Sequence, residues 1–138
     1  KRMRRGIKKI LLKISPSLKI LDYYHLLGIE KGYEICRVKV RKGSWLANKT
    51  LSELELSKEG ILVLGIIRKR GRKESYLGMP KGNIKILPGD ILVCYGPANL
   101  TEKLAKREKG KEGEKEHRAA IEEQKIREKE ERKEFSKL

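Results

Sequence analysis

Hydrophobic and polar positions along the chain change their spacing several times, and each change predicts a new element. From Cys36 to Arg41 apolar and basic residues alternate, which is the period of a strand with one buried face. Residues 61–67 (ILVLGII) and 91–95 (ILVCY) are apolar throughout, as in strands buried on both faces. We therefore expect a small sheet with residues 61–67 at its centre.

Short polar segments between these strands predict turns and helix starts. Thr50 lies three residues before Glu53, the spacing of a capping box, so a helical turn is expected over 50–54. Asn99 is the predicted cap of a last core helix over 100–107. The tight turn at 88–90 places its aspartate where the carboxylate accepts hydrogen bonds from nearby backbone amides.

The stretch between the two apolar strands contains a basic turn and a loop. Residues 69–73 (KRGRK) predict the turn, a short segment follows around Tyr76, and residues 79–83 (MPKGN) predict the loop from their glycine and proline. This turn has two interpretations. It is an ordinary charged hairpin, or its cations and exposed amides meet an anionic ligand.

The first 14 residues predict a short basic amphipathic helix. Apolar residues recur there at helical spacing from Ile7 to Ile14, and the lysines fall off that stripe. Two roles remain open: a juxtamembrane segment lying along an anionic lipid surface, or a terminal helix docked on the core. If the segment lies along the lipid surface, its membrane-proximal cations are Arg2, Arg4, Arg5, Lys8, Lys9 and Lys13.

Length and charge divide the chain into three parts. With 138 residues there is room for one domain. We expect it over residues 15–107, beginning with a helix over 16–28. The basic segment 1–14 precedes it, and a charged tail, 108–138, follows it. The tail has scarcely any apolar residue, so we expect it to be partly helical, partly disordered and absent from the core. A formal charge of +16 indicates attraction to polyanions, either nucleic acid or an anionic membrane. No run approaches the roughly 20 apolar residues of a membrane span.

The residues that carry chemistry are few, which argues against an enzyme. Neither His25 nor His117 has neighbours at metal-ligand spacing, so no metal site and no catalytic residue is predicted. The chain lacks a P-loop and a dinucleotide fingerprint, and its residues alone indicate no cofactor.

Cys36 and Cys94 are expected to be buried thiols of a reducing compartment. Sequence-specific binding of nucleic acid is not indicated either, because the aromatic residues are not interleaved with cationic residues on one face of a strand.

An ordered set of motifs resembles one known family, the TrkA C-terminal domain, also called RCK-C. The resemblance covers about residues 33–105 and rests on several landmarks in sequence: the turn 49–54, the apolar strand ending at Ile67-Arg68, a proline followed by Asn83-Ile84, Gly89-Asp90, and Val93 to Gly96. It implies an α/β (α+β) fold, a small sheet with short helices.

The resemblance also implies a function. Domains of this family serve as cytosolic regulatory or ligand-sensing parts of potassium and other ion-transport proteins, commonly as homodimers. In several relatives a ligand lies at the dimer interface, and cyclic di-AMP is one known ligand. A nucleotide-binding Rossmann half usually precedes the domain, whereas a basic helix precedes it here. That departure implies attachment to a membrane-spanning part, on the cytoplasmic side of the cell membrane.

On this basis the candidate site combines apolar residues that could receive a base with polar and cationic residues that could meet phosphate. These candidates are Ile66, Ile67, Arg68, Arg70, Met79, Pro80 and Asn83. Two alternatives stay open: a basic module that binds nucleic acid through its charge, and a protein-interaction module with no small ligand.

Overall fold

A computed structural model describes residues 32–138 of the chain. The predicted helices over 1–14 and 16–28, with their basic residues, lie outside the described part. The elements of residues 32–138, in chain order, are β1 (Tyr33–Lys39), α1 (Leu51–Leu54), a 3-10 helix (Leu56–Glu59), β2 (Leu62–Arg70), β3 (Lys73–Gly78), β4 (Ile91–Pro97), α2 (Ala98–Lys106) and α3 (Lys111–Ser136).

The four strands form one antiparallel sheet in the order β1-β4-β2-β3. The two continuous apolar runs are therefore the two inner strands, which confirms the α/β fold class and the central place of residues 61–67. Cys36 lies directly opposite Cys94 in the β1–β4 pair, where Cys94 is buried, as expected, and Cys36 is only partly buried. Burial, followed by the neighbouring Cys36, raises the pKa of the Cys94 thiol to about 12.

One face of the sheet packs against the helices and forms the core. Val38, Leu92 and Ile66 are aligned across three strands on this face and are at most 2% exposed. The helices contribute Leu54, Leu100 and Leu104, among others, to the same cluster. The sheet and the helices therefore share one hydrophobic core.

The other face of the sheet is partly open, which corrects the expectation that residues 61–67 are buried on both faces. Ile66 and Ile67 are adjacent, point to opposite faces and are both buried, as expected. Leu62, however, is 57% exposed, and it lies on the open face beside Tyr95 and Ile35. Continuous hydrophobicity predicted an inner strand correctly but did not reveal that its first residues lack a covering layer.

Helix α2 begins two residues earlier than predicted. Pro97 occupies the N-cap position without a side-chain hydrogen bond, and Asn99 lies inside the first turn, so the predicted Asn99 cap is wrong. The reason is that β4 runs directly into the helix: the Ala98 amide donates to the Gly32 carbonyl at 2.9 Å, which fixes the helix start by a backbone contact.

The C-terminal segment is a continuous helix of 26 residues, α3, so the prediction of partial disorder is wrong. The expectation that it stays out of the core is also wrong, because Ala120 belongs to the core cluster. Gly113, His117 and Gln124 are buried beside it on the same side of the helix. The buried side of α3 is made of small and polar residues, whereas a packed helix is normally recognised in a sequence by a stripe of apolar residues.

Candidate ligand-binding site

The β2–β3 hairpin carries most of the residues singled out from the sequence. β2 continues to Arg70 and pairs there with Lys73, so the turn is shorter than the predicted 69–73. Every residue of β3 is exposed, and its outer edge has no partner strand among residues 32–138. Tyr76, Leu77 and Met79 are 62%, 44% and 84% exposed, so this edge carries uncovered apolar surface.

A groove of about 240 Å³ lies where the hairpin extends beyond the core. It forms because Ile66 pairs with Leu77 and Arg68 pairs with Ser75, which places all four residues on the face that continues the core. The groove is lined by Ile66, Arg68, Ser75, Tyr76, Leu77 and Ile84. Ile66, Leu77 and Ile84 supply the apolar part of its wall, and Arg68 and Ser75 add a guanidinium and a hydroxyl. The Tyr76 ring lies over Gly65, on the face of the hairpin opposite to Ile66.

Arg68 is held in this groove by a bidentate ion pair. Its Nε donates to Asp90 Oδ1 at 2.9 Å, its Nη2 donates to Asp90 Oδ2 at 2.7 Å, and the same Nη2 donates to the Lys85 carbonyl at 2.9 Å. These hydrogen bonds raise the pKa of Arg68, so the group stays charged. Because the side chain remains 30% exposed, a fixed cation faces the groove.

Asp90 also performs the role expected from its turn. The Leu87 amide donates to Asp90 Oδ2 at 2.9 Å, which confirms that this carboxylate accepts from the backbone of its own turn. The carboxylate is almost fully buried and serves the turn and Arg68 together. The sequence indicated the first role, but the second depends on an ion pair across 22 residues.

The loop after β3 is tied to helix α1. The Ser52 amide donates to the Gly82 carbonyl at 2.9 Å, and the Leu51 amide donates to the Ile84 carbonyl at 3.1 Å. The predicted capping box at the start of α1 is present. Hydrogen bonds from Thr50, the backbone amide first, lower the pKa of Glu53. The capped turn thus fixes the position of Ile84 in the groove.

Only two of the seven candidate residues line the groove, Ile66 and Arg68. Ile67 points to the opposite face of β2. The remaining candidates are not among the residues that line the groove: Arg70, Met79, Pro80 and Asn83. Sequence analysis missed Ser75, Tyr76, Leu77 and Ile84 as lining residues. The hairpin register could have identified Ser75 and Leu77, because they face Arg68 and Ile66.

Basic side chains surround the turn of the hairpin that carries the groove. Lys69, Arg70, Arg72 and Lys73 surround the hairpin turn, with Lys69 3.6 Å from Glu74. Within residues 32–138 there is no group of three or more residues that could hold a metal ion. In the same part of the chain every helix is too short or too polar to cross a membrane.

Comparison with known proteins gives a family match and a structural likeness. The model of the TrkA-C domain matches residues 35–108, more than half of the chain. Among 21 matching solved chains is the regulator of conductance of K+ C domain of the potassium transport protein KtrA, in complex with cyclic diadenosine monophosphate. It shares 27% sequence identity over 63% of this chain and 93% of that chain, with a TM-score of 0.46. No curated protein sequence matches the chain.

Proposed function

This chain belongs to the TrkA-C domain family, regulatory domains of ion-transport systems, and on that premise we propose that it senses a small anionic ligand for a transporter. The transported ion is potassium or another cation. The ligand is a nucleotide of the cyclic di-AMP type, and the protein regulates rather than catalyses. The site of action is the cytoplasmic side of the membrane, where the domain is attached to a membrane-spanning part.

The observation that carries the proposal is the groove around Arg68. A nucleotide has a flat apolar base and charged phosphates, and each needs a different surface. Ile66, Leu77 and Ile84 offer an apolar surface to a base. The fixed guanidinium of Arg68 offers a planar cation to a phosphate, assisted by Arg70 beside it.

A homodimer completes the proposed site. The groove is shallow, and the apolar residues Tyr76, Leu77 and Met79 extend beyond it on the unpaired edge. A cyclic dinucleotide has two equivalent halves, so it fits a two-fold interface in which each protomer contributes one groove. Binding would then favour one dimer geometry over another and shift the population of transporter states.

The basic segment 1–14 has a proposed role in the same mechanism. It lies outside the described residues, so this role rests on the sequence alone. Its cations would lie along anionic lipid headgroups, each contributing about 1 kcal/mol near such a surface. The segment would therefore connect the dimer to the membrane part.

Isothermal titration calorimetry with cyclic di-AMP, cyclic di-GMP and AMP tests the proposal. We expect one cyclic dinucleotide per two chains. Arg68→Gln should weaken binding roughly tenfold or more, because a charge-assisted hydrogen bond to phosphate is lost. Lys69→Gln is the matched control, since it removes the same charge from the opposite face of β2 and should change affinity less than about twofold.

Three outcomes would contradict the proposal. The absence of heat with every nucleotide would exclude the ligand. Equal losses for the two variants would indicate attraction through total charge, as for a nucleic-acid-binding module, and that binding would fall steeply with salt. A stable dimer with no nucleotide affinity would favour an interaction module. Circular dichroism of both variants shows that the fold is intact.

A further inference from the structure

A second concave site follows β1 and borders the end of α2, and we call it the basic pocket. Its volume is about 410 Å³, and two chain segments line it, residues 41–44 and residues 105–109. That volume is within the roughly 300–1,000 Å³ of small-molecule sites. The basic pocket shares no lining residue with the groove around Arg68.

Backbone hydrogen bonds hold the two segments of the basic pocket together. The Trp45 amide donates to the Arg107 carbonyl at 2.9 Å. The Lys109 amide donates to the Gly43 carbonyl at 3.0 Å. Gly43 has a φ of 88°, a left-handed value that glycine adopts without strain, so the first segment turns sharply beside the second. The backbone therefore fixes the spacing between the two walls of the pocket.

The basic pocket carries a surplus of positive charge. Four of its exposed side chains form no ion pair with any carboxylate of residues 32–138: Arg41, Lys42, Lys106 and Lys109. Arg107 also borders the pocket, but its guanidinium is committed to Glu59 at 2.8 and 2.9 Å. Glu108 supplies the one carboxylate of the lining, so four cations minus one carboxylate leave a net charge of +3.

The carbonyl end of α2 accounts for only part of this charge. Arg41 Nη2 donates to the Ala105 carbonyl at 3.2 Å, and Lys106 lies in the last turn of the helix. A helix C-terminus stabilises cations through its macrodipole, which is equivalent to about half an elementary charge. One cation is enough to balance that charge, so the others repel one another around a shared concavity. A cleft lined by one sign of charge attracts ions of the opposite sign.

The hydrogen-bond donors of the pocket suit a phosphate group. The Arg41 side chain is oriented by its bond to the Ala105 carbonyl and keeps further N–H donors, since a guanidinium has five. The Ser44 side chain lies in a residue that is 6% exposed, and its hydroxyl accepts from the Leu46 amide at 3.1 Å. The hydroxyl proton is therefore left to donate. The pocket thus combines oriented donors with exposed lysines that act as flexible point charges.

We propose that the basic pocket binds a phosphate-bearing anion with two or more negative charges, of the pyrophosphate or phosphomonoester type. A soluble anion and a phospholipid headgroup both present this chemistry, and both would meet the same donors. The pocket gives the domain an anion site in addition to the proposed nucleotide groove. Neither site depends on the other, because they share no residue.

Isothermal titration calorimetry of the full chain with inorganic pyrophosphate tests binding of a soluble anion. Arg41→Gln should weaken binding roughly tenfold, because charge-assisted hydrogen bonds are lost. Lys42→Gln should weaken it roughly threefold or more, and this variant keeps the test valid if Arg41→Gln disturbs the end of α2. Lys129→Gln is the matched control, since it removes one charge from an exposed position of α3 and should change affinity less than about twofold.

Vesicles distinguish the two sources of phosphate. Co-sedimentation of the full chain is measured with phosphatidylcholine vesicles that contain phosphatidic acid, whose headgroup is a phosphomonoester. If the source is a lipid headgroup, Arg41→Gln and Lys42→Gln reduce vesicle binding relative to Lys129→Gln. If the source is a soluble anion, the two pocket variants lower only the affinity for pyrophosphate and bind the vesicles as the control does.

Three results would overturn the proposal. If the pocket variants and Lys129→Gln bind both pyrophosphate and vesicles equally, total charge explains any attraction. A loss of pyrophosphate affinity in Arg68→Gln as large as that in Arg41→Gln would place the anion in the hairpin groove. Binding of single-stranded RNA that depends on Arg41 and Lys42, without such dependence for pyrophosphate or vesicles, would assign the pocket to nucleic acid.

Discussion

Two arginine–carboxylate pairs of nearly equal geometry lie in different parts of the molecule. Arg107 binds Glu59 and Arg68 binds Asp90, each through two hydrogen bonds of 2.7 to 2.9 Å. The side chain of Arg107 is 1% exposed, whereas that of Arg68 is 30% exposed. The same kind of ion pair thus occurs in two settings, because the surrounding burial decides whether a fixed arginine holds elements together or faces an open groove.

The environments explain the difference. Arg107 lies 4.8 Å from the Trp45 ring centroid, its carboxylate partner is shared with His117, and both side chains of the pair are at most 1% exposed, so we call it the closed pair. Arg68 has the Lys85 carbonyl on one side and the groove on the other. The first pair ties together the elements that surround it, while the second leaves its cation partly exposed in the folded state.

Breaking the closed pair should have the largest effect. Arg107→Met leaves the Glu59 carboxylate buried without its cation, and we expect a loss of about 3–5 kcal/mol in the free energy of unfolding. Urea denaturation followed by circular dichroism measures it. The double variant Glu59→Met with Arg107→Met should be less damaging than the single one, because no unpaired charge is then buried. A loss below about 1 kcal/mol for Arg107→Met would mean that the pair contributes no more stability than an ordinary surface ion pair, which would contradict this prediction.

Breaking the open pair should cost less. Asp90→Asn removes the carboxylate that Arg68 and the Leu87 amide share, but water can still solvate the guanidinium. We expect a loss of about 1–3 kcal/mol in the free energy of unfolding by the same urea measurement. Because the variant also frees Arg68 to move, nucleotide affinity should fall with the charge of Arg68 unchanged. If Asp90→Asn proves as costly as Arg107→Met, the contrast between the two pairs is wrong.

The smallest expected effect concerns the hydrogen bond between Trp45 and Glu114, next to the closed pair. The Trp45 indole donates to Glu114 at 2.6 Å, and this bond, with the nearby Lys49, lowers the pKa of Glu114. A lowered pKa in the folded state contributes stability above the ordinary value of 4.5 that is lost as pH falls. Glu114→Gln should therefore be less stable than the unmodified chain near neutral pH, and the difference should shrink in acid. Thermal unfolding at several pH values measures it, and a difference that is constant with pH would contradict it.

Local signals in the sequence predicted the parts of the fold that depend on local physics. The capping box at Thr50 and the turn carboxylate of Asp90 follow from spacings of three residues, and the inner strands follow from continuous hydrophobicity. The groove was located only in part, because its lining depends on the register of β3 against β2. Docking of α3 could not be predicted, since His117 reaches Glu59 across 58 residues and no apolar stripe marks the contact.

The hydrogen bond from the Tyr33 hydroxyl to Glu131 connects the two ends of the described chain. Burial, with the Glu131 carboxylate, raises the pKa of Tyr33 to about 12, so the hydroxyl keeps its proton. Tyr33 is the first residue of β1, and Glu131 lies 98 positions later, near the end of α3. The point where the chain enters the sheet is thus anchored twice, to the last turns of the C-terminal helix through Tyr33 and to the start of α2 through the Gly32 carbonyl.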